Sequence, residues 1–186
     1  MAEQIPGNKE NVIIKAARTR FAYYGYSKAT MDEIANDVGM GKASLYYYFP
    51  TKETLFRAVI AQEQREFIVH AQSVITQGST GCERMRQYVD LRLEYFRKFL
   101  NLGMLSIQSF FEMKPVLGDL FEDFARRELQ ILKEILETAK RNGEFSLEDP
   151  DKVAEVLLHL LQGLRLRTLR SAPGPQLSDE SYEQLR

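Results

Sequence analysis

The chain has 186 residues, the size of one large domain or two small ones. Hydrophobic residues make up 44% and charged residues 27%, a composition that can bury a core and excludes a disordered chain, a collagen-like repeat and a disulfide framework. The 25 basic and 26 acidic residues nearly cancel, so the whole chain does not indicate a nucleic-acid or acidic-membrane partner. Residues 1–60 carry 8 basic and 6 acidic side chains, and this net +2 points the N-terminal part weakly toward an anionic partner.

The expected environment of the chain is the cytoplasm. The single cysteine, Cys82, cannot form an internal disulfide, which favours a reducing compartment. The first residues lack the basic and apolar regions of a signal peptide. No apolar run reaches the ~18 residues that a membrane helix needs, so we expect no membrane partner.

Helical spacing of apolar residues dominates the chain, and strand signals are absent, which predicts an all-α fold. Glycine, proline and capping residues divide the pattern into segments. The predicted helices are, in chain order, about 9–24, 31–38, 42–48, 51–77, 82–100, 104–113, 115–142 and 150–170.

Several boundaries rest on specific residues. Gly25 can stop the first helix, and Thr30 with Glu33 forms the capping-box pattern at the start of the second. A helix start is predicted at Pro115. Further predicted caps are Thr51 for the fourth helix, Asn142-Gly143 at the end of the long helix, and Asp149-Pro150 at the start of the last.

The second and third helices are separated only by Gly39-Met40-Gly41, a short glycine-containing turn typical of a helix-turn-helix unit. Leu45, Tyr48 and Phe49 lie within one sector of the third helix, which we predict to face the core. The outer side carries a cation, a small residue, a hydroxyl and two tyrosines, namely Lys42, Ala43, Ser44, Tyr46 and Tyr47. Such a side suits a DNA major groove. Spacing alone equally allows a three-helix packing unit with half-buried tyrosines.

The residues themselves add a resemblance. Residues 30–35 read TMDEIA and residues 38–56 read VGMGKASLYYYFPTKETLF. With the preceding Phe21, Gly25-Tyr26 and Ala29, they closely resemble the N-terminal signature of TetR-type (tetracycline-repressor-like) transcriptional regulators. The match covers about residues 9–60.

The resemblance implies a helix-turn-helix DNA-binding domain over 1–50 and a larger helical effector-binding and dimerisation domain over 51–186, with 51–77 as the connecting long helix. It further implies a homodimeric DNA-binding regulator, a repressor released from a palindromic double-stranded DNA operator by a small hydrophobic or aromatic effector. It does not imply an enzyme.

The resemblance also assigns contacts to DNA. Thr30 matches the family's phosphate-contacting cap. The groove-reading positions are Lys42, Ala43, Ser44 and Tyr46, and the phosphate-gripping positions are Tyr47, Tyr48 and Lys52. Two positions depart from the pattern: Gly41 stands where serine or threonine is common, and Tyr48 stands where histidine is frequent.

The larger domain is rich in aromatic and methionine side chains between residues 67 and 124. In an arbitrary helical bundle such residues mostly form the core, whereas the resemblance implies that some line an effector cavity. The candidate lining residues are Tyr88, Tyr95, Phe99, Met104, Ile107, Phe110, Phe111 and Phe124.

The helix predicted over 150–170 has an apolar arc of about 220°, wider than the ~100° stripe that packing on one side requires. A twofold partner would cover the second surface. The candidate interface residues are Leu158, Leu161, Arg165 and Leu169. The alternative is a helix buried centrally within its own domain.

No residue pattern indicates catalysis or a cofactor. His70 and His159 fit solvated or pocket-edge positions better than metal sites, and Cys82 fits a plain loop cysteine. We therefore expect no catalytic residue, no metal and no cofactor. The main alternative to a regulator is a helical small-molecule carrier whose N-terminal unit no longer reads DNA; an enzyme is a more distant one.

Overall fold

The computed structural model describes residues 7–77, 80–101 and 107–171, with side chains for all of these except 75, 77, 97–101, 107–114 and 164–171. Within these ranges the chain forms seven helices and no strand, which confirms the predicted all-α fold. The helices are α1 (Asn8–Lys28), α2 (Met31–Asp37), α3 (Lys42–Tyr48), α4 (Lys52–Gln77), α5 (Gly81–Asn101), α6 (Ile107–Arg141) and α7 (Pro150–Ser171).

Side-chain caps fix several helix starts. The Thr30 hydroxyl accepts from the Glu33 N–H at 3.3 Å, and the Glu33 carboxylate accepts from the Thr30 N–H at 3.0 Å, which confirms the capping box. The Thr51 hydroxyl caps α4 by accepting from the N–H of Thr54 at 3.1 Å. Asp149 caps α7 by accepting from the N–H of Lys152, also at 3.1 Å.

Two helix ends need glycine. Gly39 (φ 67°) follows α2 and Gly143 (φ 74°) follows α6, both in the left-handed region that glycine enters without a Cβ clash. Gly25 (φ 78°, ψ 159°) interrupts the helical geometry of α1, and a further turn continues to Lys28. The first helix therefore breaks where the sequence predicts, although its last turn extends further.

The prediction that a helix starts at Pro115 is wrong, because Pro115 lies inside α6. Proline lacks an N–H and removes one hydrogen bond from a helix interior. The ring lies on an exposed side of α6, and the helix remains continuous while Leu117 and Leu132 on its inner side are fully buried. Packing along the inner side outweighs the local preference of proline for a helix start.

The buried core runs without a break from α1 to α7. Phe21 of α1 packs edge-on against Phe56 of α4, with the ring centroids 5.1 Å apart. Helix α4 packs against α1, α5 and α6, and α6 also packs against α7. Helix α4 therefore joins the three N-terminal helices to the rest of the molecule. None of the helices in the described ranges is both long and apolar enough to cross a membrane.

Candidate DNA interface and interior polar cluster

Helix α3 has one buried and one exposed side. Leu45 is fully buried, and Phe49, which caps the helix, is 8% exposed. On the opposite side Tyr47 is 82% exposed, and Lys42, Ala43, Ser44 and Tyr46 are exposed as well. Tyr48 lies between the two sides and packs partly against the core. The predicted division of α3 into a core side and an outer side is confirmed.

Lys42, at the first position of α3, is held across the turn by α2. Its ammonium lies 2.8 Å from the Asp32 carboxylate, and both side chains are more than half exposed. The hydrogen bond to Asp32, with the charge of that carboxylate, raises the pKa of Lys42. Because exposed ion pairs contribute only about 0–1 kcal/mol, Lys42 can exchange Asp32 for an acceptor on DNA at little cost.

The Thr30 hydroxyl is already engaged within its own cap. It donates to the Glu33 carboxylate at 2.8 Å, and the hydrogen bonds from Thr30 lower the pKa of Glu33. A phosphate contact by this hydroxyl requires it to turn away from Glu33. Gly41, at the corresponding position before α3, supplies no side-chain cap.

The Lys52 ammonium contacts the protein's own backbone, whereas the sequence suggests that it contacts a DNA phosphate. Its ammonium donates to the backbone carbonyls of Tyr26 at 3.0 Å, Ala29 at 3.2 Å and Ser27 at 3.5 Å. It also lies 4.5 Å from the centroid of the Tyr26 ring. An ammonium has three N–H donors, so these bonds use the groups assigned above to a phosphate. The contacts make Lys52 a link between the start of α4 and the end of α1.

Two arginines of α1 tie that helix to α2 and to α4, a role that sequence reasoning missed. Arg20 makes a two-pronged bond to Asp37 of α2, at 2.6 and 2.7 Å, and this bond lowers the pKa of Asp37. Arg18 reaches Glu63 of α4 at 2.5 Å. A planar guanidinium–carboxylate pair constrains the relative orientation of the two helices that it joins. The two pairs therefore help to set the orientation of α2 and of α4 relative to α1.

The interior of the larger domain contains a buried ion pair that sequence reasoning also missed. Arg92 of α5 is 5% exposed and Glu128 of α6 is 1% exposed. The Arg92 Nε–H donates to Glu128 Oε1, which also accepts from the Tyr88 hydroxyl at 2.9 Å. Burial and the nearby Glu128 charge raise the pKa of Tyr88 well above its ordinary value. The available signal was a charged residue on the apolar stripe 88, 92, 95, at helical spacing.

Three aromatic rings surround the Arg92 guanidinium, with centroids 5.4 Å (Phe124), 5.6 Å (Tyr95) and 5.9 Å (Phe67) away. Phe67 also packs directly on Tyr95 at 5.0 Å and on Phe124 at 5.3 Å. The structure thus brings together three of the predicted pocket residues, Tyr88, Tyr95 and Phe124. Met104 and the side chains of Phe99, Ile107, Phe110 and Phe111 lie outside the described residues.

Two of the four predicted dimer residues on α7, Leu158 and Leu161, face the core of their own chain. Leu158 is 6% exposed within its own chain, and Leu161 packs partly against the same core. The side chains of Arg165 and Leu169 lie outside the described residues. Among the α7 side chains that the structure describes, Val156 (57%) and Leu160 (59%) are the large apolar ones that are exposed.

The structure places the residues that could suggest metal or thiol chemistry at the surface. His70, His159 and Cys82 are all exposed. Among the residues that the structure describes, no three histidine, cysteine or acidic side chains come together in a way that could hold a metal ion.

Two short helices, α2 and α3, joined by a glycine-containing turn and packed with α1, with an exposed outer side on α3, define the class of helix-turn-helix DNA-binding regulators. Residues 13–59 match the model of the bacterial regulatory proteins of the tetR family. The chain is 41% identical to a transcriptional regulator from Cytophaga hutchinsonii of which a crystal structure is known. The structural alignment covers 96% of this chain and 91% of that regulator, with a TM-score of 0.87. This chain belongs to the TetR family of DNA-binding transcription regulators.

Two curated relatives extend the comparison beyond the N-terminal unit. The HTH-type transcriptional regulator YdgC of Bacillus subtilis is 28% identical over 153 residues, which is 82% of this chain and 76% of the relative. The nucleoid occlusion factor SlmA of Serratia proteamaculans is 26% identical over 174 residues, which is 91% of this chain and 87% of the relative.

Proposed function

We propose that this regulator is a cytoplasmic repressor that binds a palindromic operator as a homodimer and leaves it when a small hydrophobic or aromatic ligand binds in the larger domain. The observation that carries the DNA-binding part is the exposed outer side of α3, set on a buried inner side. Ala43 and Ser44 are small enough to let the helix approach base edges closely, and Lys42 is the cation next to them.

The proposed contacts to DNA divide into two groups. Lys42, Ala43, Ser44 and Tyr46 are proposed to read base edges, because they lie on the outer side of α3. Thr30, Tyr47 and Tyr48 are proposed to contact phosphates through their hydroxyls. Phosphate contacts position the protein and base contacts carry sequence information, so the two groups should respond differently to mutation.

We move the proposed dimer interface to the side of α7 that carries Val156 and Leu160. These two residues are four positions apart, so they share one side of the helix. Both are more than half exposed, whereas Leu158 and Leu161 contribute to the chain's own core. A second copy packed on this side would remove both side chains from water.

The effector is proposed to bind beside the aromatic residues around Arg92. The Arg92–Glu128 pair is neutral overall, so a neutral ligand with an aromatic or alkyl body suits these surroundings. Helix α4 supplies Phe67 to this cluster and also binds α6 through Arg57, which pairs with Asp119 and donates to the Val116 carbonyl at 2.5 Å. Release from DNA requires that the ligand bind the DNA-incompetent arrangement more tightly.

The operator is best identified by selecting duplexes from a random pool with the full-length protein. Affinities of wild type, Lys42→Ala and Ser44→Ala are then measured on the selected duplex and on a scrambled one. We expect each variant to lose specific over non-specific affinity by about 1–3 kcal/mol per lost base contact. Lys15→Ala, which removes an exposed lysine of α1 outside the proposed contacts, is the control. Equal preference for both duplexes in the wild type would refute the proposal.

The interface is tested by sedimentation of the double variant Val156→Glu, Leu160→Glu. In a dimer, the two new carboxylates of each protomer would be buried against the same carboxylates of the partner. This unpaired buried charge should yield monomers with unchanged helix content. Val69→Glu places the same charge at another exposed apolar position, 64% exposed on α4, and should remain dimeric. A double variant that still sediments as a dimer would place the interface elsewhere.

A further inference from the structure

A cleft of about 680 Å³ lies beside the outer side of α3. Its walls come from the first turns of α1, from the turn between α2 and α3, and from α3 itself. Ser44 and Tyr47 line it on the α3 side, and Lys9 and Val12 line it on the α1 side. The surface proposed above for DNA thus continues into a concave site whose second wall is α1.

Lys9 is the charged residue among those that line this cleft, so the site has a formal charge of +1. Its side chain is exposed and makes no ion pair with another described residue, whereas Arg18 and Arg20 of the same helix are held by carboxylates. The carboxylate nearest in sequence, Glu10, accepts from the Gly7 N–H at 2.8 Å and does not line the cleft. The cleft therefore favours an anion.

The remaining lining residues combine hydrogen-bond donors with apolar surface. Asn8, Tyr47 and Tyr48 offer an amide and two hydroxyls, while Val12 is 51% exposed at the cleft wall. A nucleic-acid strand has the matching alternation, because charged phosphates alternate with sugars that pack on apolar side chains. A small inorganic anion would use the donors and leave the apolar wall in water.

We propose that this cleft receives the sugar–phosphate backbone of one DNA strand beside the major groove entered by α3, and that Lys9 contacts a phosphate there. The assignment rests on the proposed function, since it requires α3 to enter DNA. It adds α1 as a second gripping element, so each protomer holds the duplex from the groove and from the flanking backbone. Lys9 strengthens binding without reading sequence.

The test compares Lys9→Ala with Lys15→Ala, which removes an exposed lysine from another side of α1. Dissociation constants are measured between 50 and 200 mM salt on the selected operator and on a scrambled duplex. Losing one phosphate contact per protomer should reduce the slope of log affinity against log salt by about 0.9 each, or about 1.8 per dimer. The ratio of wild-type affinity to Lys9→Ala affinity should therefore fall about tenfold between 50 and 200 mM salt, equally on both duplexes. Lys15→Ala should match the wild type.

Phosphate ethylation interference locates the contact. In the wild type, ethylation of one flanking phosphate per half-site should block binding, and in Lys9→Ala that interference should disappear while other positions persist. An unchanged slope and an unchanged interference pattern in Lys9→Ala overturn the inference. If Ser44→Ala still loses operator preference in that case, the proposed function stands without the α1 contact. If the wild type binds neither duplex, both fail.

Discussion

The DNA-binding unit and the larger domain place their charged groups in opposite ways. In α1–α3 the core is apolar and the ion pairs lie between helices at the surface, as for Arg20 with Asp37 and Lys42 with Asp32. In the larger domain a complete ion pair, Arg92 with Glu128, lies in the interior among aromatic rings. Surface pairs can exchange partners with DNA at low cost, whereas a buried pair fixes one arrangement of the helices around it.

Helix α4 belongs to both regions, and its first turns show how they are joined. Lys52 binds carbonyls at the end of α1, and Arg57, five residues further along, binds Asp119 of α6. These contacts connect α6, through the first turns of α4, to the turn before α2. Single substitutions can test both the difference between buried and surface ion pairs and the connection through α4.

The largest expected effect is that of Glu128→Ala. Removing the carboxylate leaves the buried Arg92 charge unpaired and Tyr88 without its acceptor, which should reduce the free energy of unfolding by about 3–5 kcal/mol. Urea unfolding monitored by circular dichroism measures this loss. Asp123→Ala removes an exposed carboxylate that pairs with Arg126 on the same helix, and should cost less than about 1 kcal/mol. Similar losses in the two variants would contradict the contrast between buried and surface pairs.

Lys52→Met should reduce the free energy of unfolding by about 1–3 kcal/mol, because it removes charged donors from three carbonyls while keeping the aliphatic stem. The salt slope of DNA binding should stay at its wild-type value, since the ammonium is used inside the protein. Lys15→Met, at an exposed position of α1, should change stability by less than about 0.5 kcal/mol. A stable Lys52→Met protein with a reduced salt slope would instead make Lys52 a phosphate contact.

Gly81→Ala should destabilise the contact between α5 and α6 by about 1–3 kcal/mol. A Cβ at Gly81 would overlap the Ala139 side chain and lie 3.3 Å from the Ala139 Cα, which is backbone and cannot turn aside. Gly118→Ala is the matched control, because it lies within α6 with no atom within 4 Å of the added Cβ. That change should stabilise the protein by about 0.5–1 kcal/mol. Thermal unfolding should show a lower midpoint temperature than wild type for Gly81→Ala and a higher one for Gly118→Ala.

The smallest effect concerns acid pH and the Arg20–Asp37 pair. The folded-state pKa of Asp37 is lowered, so the pair contributes stability above the unfolded pKa of about 3.9 and loses it as pH falls through the folded value. Asp37→Asn should therefore be slightly less stable than wild type at pH 7, and the two proteins should converge as the pH falls through the lowered folded-state pKa of Asp37. Urea midpoints across this range measure the difference; a constant gap at all pH values would exclude the ionic contribution.

Local sequence patterns were enough to predict the helical class, most helix boundaries and the two sides of α3. These features depend on local chemistry: capping at Thr30 and Asp149, left-handed glycine after α2 and α6, and the angular spacing that separates Leu45 from Tyr47. Each of them is set by residues a few positions apart. The family signature added the expected contacts to DNA in the same short segment.

The places where helices meet depend on contacts between residues that are far apart in sequence. The partners of Arg92, Lys52 and Arg18 lie between 23 and 48 residues away in sequence, so no local pattern could pair them. The apolar arc of α7 is wider than one packed side requires, and packing against α6 made Leu158 the inner side and left Val156 and Leu160 outside. Periodicity gives the angle between side chains on a helix, and only its neighbours fix which angle faces the core.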